Sequence, residues 1–477
     1  MDPKIELGLM QTIYKEIYNI ITYNPGEGKK SVFEESNIFF QMVSLGQPIN
    51  PKDFEGMATL SNPNGNLAKS ESFANFIDPI PVISPIYNQT LKTVEGVYDD
   101  IMTAATVTEM STSGATVINE NHLIAPVDNV DSKLEEVLST ARSLLWEKNI
   151  VETNGMQNVL LKITDIYQKY IEYKAMYFNA LALYKAVENK ISQDENALNQ
   201  LDTLQKNIDD SWKMWKDIFG PPVEFAFSAI NKTVSSAPSL ILARNKKLWE
   251  QTKRPSNITG GKSWHMSYAF PTNWYDPSAN GFITIKFNSK NLVDNINSGL
   301  DQIVDNSGFL NGLWGIIGNS IDNKNREHFH VESENIAITL ELGTVFIVRP
   351  WLDIKFLKSD SWSMEGYYKA GEISTGELKT ATEKQSVMPL IPSAFIVAKN
   401  IKIEGEWGTK DQEIISKAVN GEISLGIGPF TISLGKEANS SPDSTQLSTR
   451  FNNGIIEVNG VQIIGWISQI VPFCPSK

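Results

Sequence analysis

The sequence predicts an α+β multidomain protein, in which an N-terminal bundle of long helices precedes a C-terminal antiparallel β-sandwich with a helical insertion. The chain has 477 residues, which is too long for a single hydrophobic core. Apolar residues recur every three or four positions in the first half and alternate in the second. We place the parts at 1–85, 86–254 and 255–477, with the insertion at 289–334.

The first 85 residues begin with a helical pattern and continue as an irregular segment. Met10, Ile13, Ile17 and Ile21 share one helix face. The stretch 24–85 is rich in Asn, Pro and Gly, and we interpret it as loops and short helices packed on the bundle.

The middle part has the spacing of consecutive long helices. Two long helices joined by a short polar connection around 192–194 would form an antiparallel hairpin, the usual building unit of a bundle. The predicted helical segments are 87–106, 134–145, 156–191, 198–215 and 222–254.

Short β-rich runs separated by turn residues follow Pro255, as an antiparallel sandwich requires. Phe282, Thr284 and Lys286 alternate with the residues between them, which is the period of a half-buried strand. The predicted strands are 264–270, 282–287, 336–348, 394–403, 422–434 and 455–466.

Composition excludes several classes of function. The formal net charge is −13, so nucleic acid, which requires a basic surface, is not an expected partner. Cys474 is the single cysteine, which excludes an internal disulfide and a cysteine-based zinc site. The first 23 residues lack the basic start and uninterrupted apolar core of a signal peptide. We therefore expect a cytoplasmic protein, or one released without a classical signal peptide.

Catalytic and cofactor motifs are missing. The sequence has no Gly-x-Ser-x-Gly elbow, no His-Glu-x-x-His helix and no glycine-rich dinucleotide fingerprint. We expect no cofactor. Paired carboxylates that act in hydrolysis would leave no such motif, so a hydrolase stays open as an alternative.

The end of the strand at 336–348 carries the candidates for ligand binding. Pro350 ends the strand because it has no amide hydrogen. Arg349, Trp351 and Asp353 follow, with Trp362 a little beyond. An arginine stacked on tryptophan and paired with aspartate can fasten a corner of the fold or form the rim of a ligand site, and we favour the corner because tryptophan is usually buried.

A weak metal motif precedes the same strand. His328, His330 and Glu332 would face the same way on a strand, because residues two apart share a face. No further ligand is evident, so a solvated strand entry is the favoured interpretation.

The segment 307–321 is apolar and carries no charge. Its candidate contact residues for a membrane or a partner are Phe309, Leu310, Leu313, Trp314 and Ile317. The segment is too short to span a bilayer, but an amphipathic helix with tryptophan and glycine suits a membrane interface. A helix that covers the sheet would have the same pattern, and we favour this interpretation.

Together these features favour a non-enzymatic binding or assembly protein that acts through its helical bundle and an aromatic-rich sandwich. We expect a protein partner or self-association. One alternative is a membrane-active, pore-forming or toxin-like protein whose soluble form rearranges at a bilayer. The other is the carboxylate-dependent hydrolase.

Overall fold

A computed structural model describes most of the chain. The described residues are 3–22, 37–60, 62–84, 86–109, 116–117, 132–153, 156–188, 196–236, 238–256, 263–279, 282–289, 314–317, 326–328, 334–359, 362–364, 366–378, 386–434 and 447–476.

The helices of these residues are α1 Pro3–Thr22, α2 Leu67–Ile77, α3 Val94–Ala104, α4 Ser132–Leu145, α5 Asp165–Glu188, α6 Asn196–Lys213, α7 Gly220–Ser236, α8 Pro238–Thr252, α9 Ile354–Leu357 and α10 Thr409–Val419. A π-helical turn at Met214–Ile218 continues α6 towards α7.

The strands are β1 Ile38–Pro48, β2 Pro79–Pro81, β3 Gln89–Thr93, β4 Thr106–Glu109, β5 Thr116–Val117, β6 Trp146–Thr153, β7 Met156–Ile163, β8 Lys253–Pro255, β9 Ser263–His265, β10 Tyr268–Phe270, β11 Ile283–Asn288, β12 Trp314–Ile317, β13 Arg326–His328, β14 Glu334–Val348, β15 Trp362–Ser363, β16 Leu390–Glu406, β17 Ser424–Ile427, β18 Phe430–Ser433, β19 Ser448–Asn452 and β20 Ile455–Ile470.

The protein is of mixed α+β class and is organised around a large antiparallel sheet. Its strand order is β1-β20-β16-β14-β10, with β11 also paired with β14 and β19 with β20. Every pair in this sheet is antiparallel. The edge strand β1 comes from the first 85 residues, and the other strands of the sheet lie beyond residue 255. The division of the chain into three domains stays a prediction.

Both faces of the large sheet are buried. Successive side chains of a strand point to opposite faces, so Ala394 and Ile396 of β16 lie on one face and Phe395 and Val397 on the other. The first face packs against α1, α5 and the strands β17 and β18. The second face packs against α2 and the fully buried Trp274. The hydrophobic core therefore lies on both sides of the sheet.

Strands β17 and β18 belong to a four-stranded sheet with the order β13-β12-β17-β18. Here the predicted helix 307–321 was wrong at Trp314–Ile317, which form strand β12 and pair with both β13 and β17; most of the insertion 289–334 lies outside the described residues. A short apolar run fits the period of a helix and that of a strand equally well. The two consecutive isoleucines, Ile316 and Ile317, favour the strand because β-branched side chains suit a pleated surface.

The predicted helix 156–191 was also wrong in its first part. Met156–Ile163 form strand β7, which pairs with β6 in a hairpin. The sequence between these strands is Asn154-Gly155, the pair that two-residue hairpin turns prefer. The helix α5 begins only after Thr164, whose hydroxyl accepts a hydrogen bond from the amide of Tyr167 at 3.3 Å.

The segment 24–85, expected as loops and short helices, contains a strand that fits the large sheet. Strand β1 pairs with β20 over most of its length. The buried Gln41 in its middle donates hydrogen bonds to the carbonyls of Val82 and Ser84, which fastens the next part of the chain to the same edge.

Candidate functional site

Helix α5 is the element from which a candidate site is built. It contacts α1, α4, α6, α7 and β11. Apolar residues lie on every side of this helix, whose sequence is DIYQKYIEYKAMYFNALALYKAVE. A helix of this kind has to be surrounded by other elements, because no side of it is purely polar. The surrounding elements come from parts of the chain that are far apart in sequence.

Helices α5 and α6 pack in antiparallel directions and leave a groove between them. Near one end Val187 packs with Leu204. Towards the other end, the ring of Tyr177 lies 5.1 Å from that of Trp212 and 5.4 Å from that of Trp215, measured between centroids. Between these two contacts the facing side chains include smaller ones, such as Ala180, and they leave a space between the helices.

This groove, which we call the α5/α6 groove, has a volume of about 550 Å³. That size is within the range of small-molecule sites, roughly 300 to 1,000 Å³. Its lining comes from α5, from α6 and its π-helical continuation, and from the start of β11: Tyr173, Met176, Asn179, Ala180, Leu183, Leu204, Asn207, Asp210, Ser211, Met214, Phe282 and Ile283.

Three polar side chains of the lining are available to a ligand. Asn179, Asn207 and Asp210 make no side-chain hydrogen bond or ion pair with any other residue in the described part of the chain. Ser211 differs, because its hydroxyl donates to the carbonyl of Asn207 at 2.6 Å. Asp210 is the one charged residue among the described residues that line the groove. The groove therefore combines an apolar wall with hydrogen-bonding groups and a single negative charge.

The wall is held rigid at one end by aromatic packing. Tyr173 stacks on Phe219 with ring centroids 5.6 Å apart and planes inclined by 8°. Met176, one turn further along α5, is 55% exposed, although it is a large apolar side chain. An apolar side chain at the mouth of a groove offers contact area to whatever enters it.

A second group of polar residues surrounds the start of helix α3. His265 is 1% exposed, and its two ring nitrogens face acceptors: the carboxylate of Glu95 at 2.9 Å and the carbonyl of Trp249 at 3.0 Å. The indole of Trp249 stacks on the imidazole with centroids 3.5 Å apart. Since a carbonyl can only accept, the ring nitrogen that faces Trp249 donates this hydrogen bond.

Asp78 lies beside this group. Its carboxylate accepts a hydrogen bond from the amide of Glu95 at 2.9 Å and another from the side chain of Thr93, the N-cap residue of α3. Burial raises the pKa of Asp78 to about 6, against the lowering effects of this amide and of the nearby Arg349. These carboxylates connect the start of α3 to the end of α2 and to strand β9.

The four residues predicted for ligand binding lie in this interior. Arg349 donates hydrogen bonds to the carbonyls of Pro392, at 2.5 Å, and Ile77, at 2.7 Å. Trp351 is 2% exposed and packs on Tyr98. These contacts favour the corner over the ligand-binding rim, which stays a prediction.

The other two predicted residues have similar roles. Asp353 caps α9, accepting from the amides of Lys355 and Phe356, and receives a further hydrogen bond from Asn245 at 3.3 Å. Trp362 is 1% exposed and stacks on Phe356 with centroids 5.1 Å apart. Neither residue lines the α5/α6 groove.

The remaining predicted residues fall mostly outside the described residues. Of the contact candidates, Phe309, Leu310 and Leu313 lie outside them, whereas Trp314 and Ile317 lie in strand β12. In the metal motif His330 and Glu332 lie outside them, and His328 ends strand β13.

Two searches of the described residues gave negative results. In these ranges, no three His, Cys, Asp or Glu side chains are grouped closely enough to hold a metal ion. Within the same part of the chain, no helix combines the length and the apolar character needed to cross a bilayer.

No protein family, characterised protein or solved structure matches this chain significantly. The function therefore has to be argued from the chain's own residues.

Sequence reasoning missed the α5/α6 groove because its lining comes from three separate segments. The predicted hairpin of two helices gave the pairing, but a cavity depends on which side chains face each other. One available signal was the absence of a polar side on α5, which indicates a helix surrounded by other elements.

Proposed function

We propose that this protein is a non-enzymatic binding protein that holds an amphipathic small molecule in the α5/α6 groove. The observation that supports this most directly is the lining itself, an apolar wall with the side chains of Asn179, Asn207 and Asp210, which have no partner among the described residues. A suitable ligand has an alkyl or aromatic body and one cationic or hydrogen-donating group, which Asp210 would accept.

The apolar part of such a ligand sets the affinity. Each buried CH₂ group contributes about 0.8 kcal/mol, which corresponds to about fourfold in the dissociation constant. Affinity should therefore rise with chain length until the groove is filled, and then level off. A surface that binds only through charge would not show this dependence.

The test uses octylamine, octanol and octanoate, each well below its micelle concentration, with binding measured by isothermal titration calorimetry. We expect the order amine, then alcohol, then carboxylate, because Asp210 attracts the first and repels the last. Asp210→Asn should reduce the difference between amine and alcohol without abolishing the binding of the alcohol. Equal, undetectable binding of all three probes would contradict the proposal.

Two variants of α6 separate groove binding from unspecific adsorption. Asn207→Trp places a large ring at an exposed position that lines the groove, and Lys206→Trp places the same ring at the neighbouring exposed position, which does not line it. We expect the first variant to weaken octylamine at least about tenfold, as a filled groove loses two or more CH₂ contacts, and the second to bind like the wild type. Equal affinity of both variants would place the binding elsewhere.

The larger surfaces of the helical part and the sheet also suit the predicted protein partner or self-association. Light scattering gives the mass in solution, and repeating it with liposomes that are then pelleted tests the membrane alternative. A discrete oligomer that ignores lipid would support assembly. A monomer that moves into the pellet would support membrane action.

A further inference from the structure

Lys174 occupies an unusual place on helix α5. Its side chain is half-buried, and its ammonium lies 6.0 Å from the ring centroid of Trp215 and 5.9 Å from that of Phe346. Phe346 belongs to β14, so the amine lies between the helical layer and the large sheet. Lys174 does not line the α5/α6 groove, so its chemistry is independent of the ligand proposed for that groove.

The amine of Lys174 has no hydrogen-bond acceptor among the described residues. A second interior lysine shows the contrast. Lys399 is 1% exposed, but it donates to the carbonyls of Pro277 and Ala279, and its nitrogen lies 3.4 Å from the carboxylate of Glu341. Such partners replace the water that a buried ammonium loses. Among the same described residues, the ammonium of Lys174 contacts only the faces of two aromatic rings.

A second positive charge lies close to the same indole. The nitrogen of Lys216 is 4.5 Å from the ring centroid of Trp215 and 2.6 Å from the carboxylate of Glu224. Burial first and the charge of Lys216 second lower the pKa of Lys174 to about 8. Desolvation and a neighbouring cation are the two conditions under which proteins turn a lysine into a nucleophile.

We propose that Lys174 is a nucleophilic amine that forms an imine with a small aldehyde or ketone. The lone pair of the neutral amine attacks the carbonyl carbon and forms the C–N bond. The carbonyl oxygen then leaves as water, taking up the two protons of the amine, so no oxidant or reductant is needed. Burial and the nearby charge of Lys216 favour the neutral amine over the ammonium, and the aromatic rings around the nitrogen provide apolar contacts for the body of the carbonyl compound.

The amount of free amine sets the expected rate. At pH 7 about a tenth of the Lys174 side chains are neutral if the pKa is about 8, against about 0.04% for an ordinary lysine. That excess is roughly 200-fold, and the lower basicity and half-burial of the amine reduce it. We expect Lys174 to react about tenfold faster than an exposed lysine.

The experiment is reductive alkylation of the whole folded chain with propionaldehyde and cyanoborohydride, which reduces the imine to a stable secondary amine. Peptide mass spectrometry then gives a rate for each lysine between pH 6 and pH 10. Lys206 and Lys213, exposed on the adjacent helix α6, are the internal references, and Lys399 is the buried reference with partners. A urea-unfolded sample shows the intrinsic rates.

The proposal expects Lys174 to be modified about tenfold faster than Lys206 and Lys213 at pH 7, with a rate that levels off above pH 8, and Lys399 to be the slowest. The Lys174→Arg variant should lose the fast-reacting site while the other lysines keep their rates. A rate for Lys174 equal to or below those of the two exposed lysines, in folded protein, would overturn the proposal. So would a rate that still rises steeply between pH 9 and pH 10.

Discussion

Replacing Lys174 with methionine should stabilise the protein at neutral pH. The pKa of Lys174 is lowered from its ordinary 10.5 to about 8. At about 1.36 kcal/mol for each pH unit, holding the charge in the folded chain costs about 3 kcal/mol at pH 7. Methionine fills nearly the same space but forgoes the attraction of the ammonium to the two rings, about 1 kcal/mol. The expected net gain in the free energy of unfolding is about 2 kcal/mol.

The direction of the pKa shift determines how the unfolding free energy changes with pH. The folded pKa lies below that of the unfolded chain, so the unfolded state binds more protons between pH 8 and pH 10.5, and the wild type gains stability as the pH rises through that window. The methionine variant has no such group. The difference between the two proteins should therefore shrink by about 2 kcal/mol from pH 7 to pH 10.

Urea unfolding of both proteins at pH 7 and pH 10 measures that difference, and other titrating groups cancel because they are common to both. Lys206→Met, at an exposed position of α6, is the control for a general effect of removing a positive charge. Equal unfolding free energies of wild type and Lys174→Met at pH 7 would refute the reasoning. A difference that is unchanged at pH 10 would refute it as well.

Three further predictions concern other buried groups. The pKa of Asp78 is raised from 3.8 to about 6, so this group contributes stability that is present below pH 4 and lost as the pH rises through 6. Asp78→Asn should therefore remove up to about 3 kcal/mol of the change in unfolding free energy between pH 4 and pH 7, measured by urea unfolding. The same pH dependence in the variant and the wild type would contradict this. Glu95→Ala removes the partner that lies 2.9 Å from a ring nitrogen of the buried His265, so it should cost about 1 to 3 kcal/mol in urea unfolding, and unchanged stability would contradict this. In Gly343→Ala the new Cβ would meet the ring of Phe282 and push it towards the α5/α6 groove. This should lower the free energy of unfolding by about 1 to 3 kcal/mol and weaken the binding of octylamine. Unchanged stability and binding would argue against this tight contact.

Several strands of the large sheet, though not β1 or β19, could be predicted from the sequence because their apolar residues alternate. The run 336–348 corresponds to β14, Glu334–Val348, and 455–466 to β20, Ile455–Ile470. Strand β14 ends where predicted, whereas β20 ends later than predicted, where both of its faces are buried. There the alternation that marks a strand end disappears, and turn residues alone give the boundary.

The predicted helices were wrong where a short apolar run fits both the helical period and the period of a strand. In Met156–Ile163 the spacing of Leu160 and Ile163 also fits a helix that continues into α5, whereas the preceding pair Asn154-Gly155 is typical of a hairpin turn. The run at Trp314–Ile317 was assigned to a helix for the same reason. In both cases a pairing partner decides the structure: β7 pairs with the adjacent β6, whereas β12 pairs with β17, which is distant in sequence and not visible in the local pattern.

The candidate site was harder to predict than the fold because it depends on side chains that meet across elements. Asp210 and Phe282 lie 72 positions apart and face the same groove. Arg349 and Trp351 could be chosen from the sequence because they follow a strand end, but their partners, a carbonyl from α2 and the ring of Tyr98, come from distant segments. Local pattern thus identified residues that hold the fold together more readily than residues available to a ligand.

Lys174 is informative because, among the described residues, it departs from the rule that a charge withdrawn from water has a hydrogen-bonding or charged partner. A methionine would satisfy the packing between Trp215 and Phe346 and would avoid the desolvation of a charge. Departures from local consistency concentrate at functional positions, where a group is kept reactive at the expense of stability. The same helix exposes Met176 at the mouth of the groove. Helix α5 therefore carries two features that packing alone does not require, and the stability of Lys174→Met and the labelling of Lys174 test the first of them by independent measurements.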